Sequence, residues 1–260
     1  MGVIRTDKWL DEHFYKPIDL LKKTSSFRTD EVSGFYDYLK FFGMYQPSGH
    51  SKVVYEELKT VKAWEIIENL YLKYKKIFNG PEVNIYIFPI NVTNRQLMRQ
   101  TNGKSGVTIE KDLYLFLSPL ADKKEWEALF IHEYHHAARI QKLRKKPFDF
   151  TLLDSMVLEG LAEHAVEEYC GEKYVAKMSK GHSDKLLKRF WNSDFKGRLN
   201  VLKKERIHDD LLFGKRLVPH MMGYALGYKI IEEYKKNYPF STQEKIDIPS
   251  KDLLIRNFLE

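Results

Sequence analysis

Between residues 51 and 80, Val54, Leu58, Val61, Leu70, Tyr74 and Ile77 recur at an imperfect 3.6-residue spacing, which predicts helix. Asn79, Gly80 and Pro81 supply the stop, and the first 80 residues as a whole read as helices. The pattern then changes. VNIYIFPI (83–90), GVTIE (106–110) and DLYLFLS (112–118) are short and rich in β-branched and aromatic residues, which predicts strands. The last two are separated only by a turn around Glu110, Lys111 and Asp112, so a hairpin is expected. NVTNRQLMRQTNGKS (91–105) reads as a polar loop with an Asn-Gly turn signal. From residue 122 the helical period returns. Asp122 and Glu125 have capping-box spacing ahead of one helix. A second helix runs from near Asp154 to Gly171, which suits a C′ position, and a third lies between Pro219 and Tyr234. With no repeats and no linker, the expectation is one α+β domain over residues 1–260. It is mainly helical, with a small β-sheet preceding a histidine-rich helix and a helical N-terminal lobe over 1–80.

Composition narrows the class. Apolar residues at 43% and charged residues at 30% of 260 describe a globular chain with a sizeable core, not a disordered one. Cys170, the single cysteine, excludes an internal disulfide and a thiolate metal site, and fits a reducing compartment. No run of about 18 apolar residues predicts a membrane span, and the start lacks the apolar stretch of a signal peptide; a cytoplasmic location is expected. The net charge of +7 raises nucleic-acid binding. The lysines, however, are dispersed among acidic residues, as in YLKYKK (71–76) and KLRKKP (142–147), with no nucleic-acid motif. A solvated basic surface that steers acidic partners is the reading, with no nucleic-acid partner.

The chemistry concentrates in FIHEYHHAARI (130–140). On a helix over 122–143, Leu129, His132, His136, Ile140 and Leu143 share one stripe, whose middle is expected to point inward. Imidazoles at i and i+4 can both reach a tetrahedral zinc ion at about 2.0–2.1 Å. Glu133 and His135 flank the stripe on opposite sides. Chemistry separates them, since a carboxylate beside zinc can take a proton from an attacking water. His132-Glu133-x-x-His136 is therefore the HExxH pattern of zinc metallopeptidases, and His135 has no catalytic part. The extended form ending in a third histidine is closed, because Arg139 and Lys142 hold the required glycine and histidine positions.

A third ligand must come from elsewhere. In VLEGLAEHAVEEY (157–169), Met156, Glu159, Glu163, Val166 and Cys170 share a helical face. Two glutamates at i, i+4 repel by about 0.2–0.5 kcal/mol, and burying them costs more unless cations or donors are present. A zinc ion and the free N–H of a ligand histidine would supply both. Glu159 is then the metal ligand, and Glu163 orients the imidazole of His132 or His136. The bland alternative is a solvent-facing acidic stripe continuing to Glu167.

HEYHH followed by LEGLAEH resembles the gluzincin clan of metallopeptidases, in which a glutamate on a later helix is the third ligand. MGVIRTDKWL, EGLAEH and GYALGYKIIEEY together resemble the YjaZ-like family of bacillar zinc-dependent proteases, a family itself described largely by prediction; the similarity spans most of the chain. The resemblance implies a peptidase with one zinc per chain, ligands His132, His136 and Glu159, and Glu133 as the catalytic carboxylate. It also implies a downstream Tyr or His that stabilises the oxyanion. VPHMMGYALGYKII (218–231) offers His220, Tyr224 and Tyr228 at i, i+4, i+8, with Tyr224 favoured before His220, beside a small-residue ridge of Gly223 and Gly227. In the gluzincin pattern an edge strand before the active-site helix pairs with the peptide substrate, and Gly106-Val107-Thr108 occupies that place.

Two rivals use the same residues. Glu133-x-x-His136 and Glu205-x-x-His208, with Glu159 and Glu163, match the inventory of a di-iron carboxylate site. KKERIHDD (203–210) has no apolar stripe to form such a helix, and His132 would be left without a role. The other rival is a non-catalytic, zinc-stabilised peptide-binding or regulatory module. Glu133 argues against it, because a structural zinc site needs no base.

Overall fold

Strands β1 (Gly2–Val3), β2 (Asn84–Pro89), β3 (Lys104–Ile109) and β4 (Asp112–Leu117) form one mixed sheet in the order β1-β2-β4-β3. They belong to a computed structural model that describes residues 1–24, 32–109 and 112–259. Glu110 and Lys111 of the expected hairpin turn lie outside the described residues. The fold is α+β and mainly helical, as the pattern predicts. β4 pairs parallel with β2 (Ile85↔Leu113, Ile87↔Leu115) and antiparallel with β3 (Gly106↔Leu115, Thr108↔Leu113). Being central, β4 is buried at every position, which explains its continuous apolar run. β3, at the edge, is half-buried throughout.

The chain divides into two compact units, Met1–Lys76 with Pro81–Tyr134, and Ile77–Gly80 with His135–Glu260. The first holds the sheet with helices α1 (Thr6–His13), α2 (Pro17–Leu21), α3 (Val32–Phe41), α4 (Gly49–Thr60), most of α5 (Ala63–Phe78), and α6 (Arg95–Thr101). The stripe over 51–80 is two helices, because Lys62 adopts a left-handed φ of 57° where the apolar spacing lapses. The expected polar loop contains α6. The Asn94 side chain accepts the Leu97 amide at 3.1 Å, and Asn102 (φ 53°) and Gly103 (φ 75°) end the helix, so the Asn-Gly signal marks a helix terminus. β1 is too short for periodicity to reveal it. The first part of α7 (Lys124–Leu143) is anchored here as well. The Trp126 indole donates to Ser118 O at 3.1 Å, and the Tyr134 hydroxyl to Pro81 O at 2.9 Å.

The second unit is built on α8 (Leu152–Cys170) and α11 (Met222–Asn237), with α9 (Asp184–Phe190), α10 (Arg206–Leu212), α12 (Thr242–Lys245) and α13 (Ser250–Leu253) around them. Thr151 and Asp154 close a capping box at the start of α8, and Gly171 (φ 98°) ends it. α8 and α11 touch backbone to backbone. A Cβ on Gly160 would lie 2.1 Å from Gly227 O, and one on Gly227 2.0 Å from Met156 O. Gly223 meets α10 instead, where an added Cβ would lie 2.6 Å from Leu212 Cα. Arg139, fully buried, fastens the C-terminal segment, donating to Ile246 O (2.9 Å), Ile248 O (3.0 Å) and Ser250 Oγ (3.2 Å). Burial pushes its guanidinium down to about 10, so it is still a cation at neutral pH.

Candidate metal centre

The faces of α7 are partitioned by its aromatic residues. Trp126, Phe130, Ile131, Tyr134, His135 and Ala138 are fully buried, whereas Leu129, His132, Ile140 and Leu143 are half-buried. Of the stripe's middle, expected to point inward, His136 is buried and His132 half-buried, while the ends of the stripe are half-buried. His135 is fully buried, edge-on to Phe78 with ring centroids 5.4 Å apart. His136 is buried, one turn from His132 on the same helix.

Glu159, on α8 and only 9% exposed, completes a trio. One ligand atom from each of His132, His136 and Glu159 lies within 4.8 Å of the others, the one such group of three among the described residues. His136 Nε2 stands 3.4 Å from Glu159 Oε2. That exceeds an ordinary hydrogen bond. Two donors at about 2.0–2.1 Å from one tetrahedral ion stand roughly 3.3–3.4 Å apart, so the spacing is that of a coordination edge. Two neutral imidazoles and a carboxylate are also a donor set that zinc accepts, and the trio fits the ion.

Glu133 leaves α7 on the side of the sheet and is buried at 6% exposure. Thr108 Oγ1 on β3 lies 2.7 Å from Glu133 Oε2 and 2.9 Å from Glu133 O. A Cβ at Gly106 would come within 2.9 Å of Glu133 Cγ. The stretch Gly106, Val107, Thr108 therefore occupies the sheet edge, with Gly106 and Thr108 directly against Glu133. An isolated glycine in a strand signals close approach, but the sequence does not say to what.

Glu163 is buried, and its Oε2 accepts the Ala176 amide at 2.8 Å, tying α8 to the loop that follows. Glu167, the extension of the supposed acidic stripe, is not merely solvated. It meets buried His164 Nδ1 at 3.0 Å, Lys235 Nζ at 2.9 Å and the Tyr228 hydroxyl at 3.1 Å. The His164 hydrogen bond, helped by Lys235 and opposed by burial, holds the Glu167 carboxyl well below its usual range. Burial pushes the Tyr228 phenol up to about 12, and its ring stacks on His164 at 4.1 Å. The sequence pattern did not reveal this cluster; the signal was His164 and Glu167 at i, i+3 on one helix.

The expected His220-Tyr224-Tyr228 stripe is broken. α11 starts at Met222, after Met221 takes a left-handed φ of 57°, so His220 lies in the preceding loop, exposed, its carbonyl 3.1 Å from His182 Nε2. Tyr224 is on the helix, half-buried, its ring 6.0 Å from that of Phe213. The second ExxH is used elsewhere. Glu205 Oε1 accepts the Leu202 amide at 2.8 Å, and fully buried His208 bonds Ser155 Oγ (2.9 Å) and Asp209 (2.8 Å). The di-iron inventory is not assembled.

Two histidines one turn apart and a glutamate from the next long helix form, in an α+β protein, a group that could hold a metal ion. The chain belongs to the family described as Predicted Zn-dependent protease (DUF2268), whose model matches residues 63–255. It is 35% identical over 187 residues to the Bacillus subtilis (strain 168) protein described as "Uncharacterized protein YjaZ", a match covering 72% of this chain and 71% of that one. The YjaZ-like resemblance is thus borne out. No solved structure matches significantly. Among the described residues, no helix is long and apolar enough to cross a membrane.

Proposed function

We propose that the chain is a zinc-dependent peptidase of gluzincin type, with one zinc ion per chain held by His132, His136 and Glu159. The observation that carries this is the 3.4 Å separation of His136 Nε2 and Glu159 Oε2 within a three-residue donor group, one position from a buried glutamate. When bound, zinc supplies a Lewis acid that polarises a carbonyl and brings the pKa of water toward 7. Glu133 takes the proton of the attacking water and delivers it to the leaving amine. Among the described residues β3 is the end strand of the sheet, and an extended peptide adds beside it as a further strand, its main chain aligned past Glu133. Glu163 orients a ligand imidazole. The oxyanion takes its hydrogen bond from Tyr224, or from His220 across the loop that precedes α11. Tyr228 is the poorer candidate, because its hydroxyl is engaged by Glu167. A cytoplasmic location fits a chain with a single cysteine.

Digestion of an unbiased peptide library, with metal content read by mass spectrometry, tests the reading. Glu133→Gln should keep one zinc per chain and lose cleavage by about 10²–10⁴-fold. Equal turnover by the variant and the wild type would remove Glu133 as the base. A zinc-loaded wild type that cleaves no peptide would favour the binding module.

A further inference from the structure

We infer that Thr108 is a positioning residue for Glu133: its hydroxyl fixes one carboxylate oxygen, while Gly106 keeps open the space the other needs. The inference rests on the peptidase reading and deepens it. Alternate residues of β3 face α7. Lys104 Nζ pairs with Glu125 Oε2 at 2.5 Å, Gly106 lies under Glu133, and Thr108 bonds it. One hydroxyl proton cannot serve two acceptors fully. The contact to the carboxylate, 2.7 Å against 2.9 Å to the carbonyl, is the shorter and is charge-assisted. Oε2 is thereby held. Oε1 lies on the Gly106 side, 3.1 Å from where a Cβ would stand, so any side chain there would press on the oxygen left to handle the proton.

The residue types suit these duties. Thr is stiff at χ1 and at home in a strand, so its hydroxyl has few alternative positions. Glu133 alone has three side-chain torsions to restrain. Its base would otherwise sample orientations that miss the attacking water, and a misplacement of about 1 Å can cost about 100-fold. The strand proposed to align the peptide is also the strand that orients the base. Substrate and base are therefore referenced to the same six residues.

Three variants test this on the library peptide the wild type cleaves best. Thr108→Val should lower kcat by about 10–100-fold with KM and bound zinc within about twofold of wild type. Thr108→Ser should restore kcat to within about threefold, because the donor returns. Gly106→Ala should lower kcat as Thr108→Val does. A second readout needs neither activity nor metal. In urea unfolding of metal-free protein, Thr108→Val should lower the midpoint more in the wild-type background than in a Glu133→Ala background, where only the contact to the carbonyl of residue 133 is left to lose. An unchanged kcat in Thr108→Val overturns the proposal. So does a loss confined to KM, which would make Thr108 a peptide contact only, and so do additive midpoint shifts. Because the urea cycle is read without zinc, it decides the Thr108–Glu133 link even if the wild type cleaves nothing, an outcome that would sink the peptidase reading separately.

Discussion

Gly227→Ala should be among the most damaging single-methyl additions in this protein. The new Cβ would sit 2.0 Å from the carbonyl oxygen of Met156 and 2.7 Å from its carbon. Restoring an ordinary 3.4 Å contact requires the α8 and α11 backbones to part by about 1.4 Å. The obstacle is main chain, so no rotamer change relieves it. Around the contact Met156, Val157, Leu161, Leu226, Ile230 and Ile231 are all fully buried, and parting the helices loosens each of them. Overpacking costs about 1–3 kcal/mol, and a rigid backbone obstacle places this case at about 3. For a chain of this size, about 2–4 °C of Tm per kcal/mol gives a fall of about 6–12 °C. Glu159 neighbours Gly160, the other half of the contact. A shift of even 1 Å exceeds the roughly 0.2 Å tolerance of a metal–ligand distance, so zinc affinity should fall at least about tenfold. Thermal unfolding followed by circular dichroism, with and without zinc, reads both effects. Gly34→Ala is the control: it sits in α3 with open space around the new methyl, and should stabilise by about 0.5–1 kcal/mol. A Gly227→Ala variant melting within about 1 °C of wild type would refute the close helix approach and the energetics built on it.

Two other outcomes follow from the same geometry. Glu167 has a folded-state pKa held below its usual 4.5 by His164 and Lys235, so its contribution is present above that value and lost as pH falls through the folded one. The stability gap between wild type and Glu167→Gln in urea should therefore be full at pH 6–7 and narrow steadily below about pH 4.5; a gap independent of pH would contradict the assignment. Zinc at about 100 times its dissociation constant should stabilise the wild type by about 2.7 kcal/mol, and chelation should reverse this. His136→Ala should show no such response in calorimetry, and a full zinc shift in that variant would place the metal elsewhere.

The HExxH spacing was legible because two side chains four residues apart on a helix must share a face, whatever the rest of the chain does. EGLAEH was legible for a related reason: carboxylates among apolar neighbours at helical spacing ask for a cation. The strands and the hairpin followed from β-branched and aromatic runs, and the end of α8 from Gly171, whereas the Thr151–Asp154 capping box at its start emerged from the structure. Local pattern misled where a decision belonged to packing. The middle of the histidine stripe was expected inward; His136 is buried but His132 only half so, while Trp126, Phe130 and Tyr134, with the larger apolar area, are fully buried. His220 seemed in register with Tyr224 until one left-handed residue, Met221, set the start of α11 beyond it. A second ExxH looked as good on paper as the first, but Glu205 is a cap and His208 a buried partner of Ser155. Sequence by itself determined which residues could hold a metal ion and on which helices, since spacing of a few residues is a local matter. Only the tertiary structure decided that Glu159 stands 3.4 Å from His136, that Thr108 holds Glu133, and that Gly160 and Gly227 let two helices touch. Each of those joins positions more than 20 residues apart, and no local periodicity encodes such a distance.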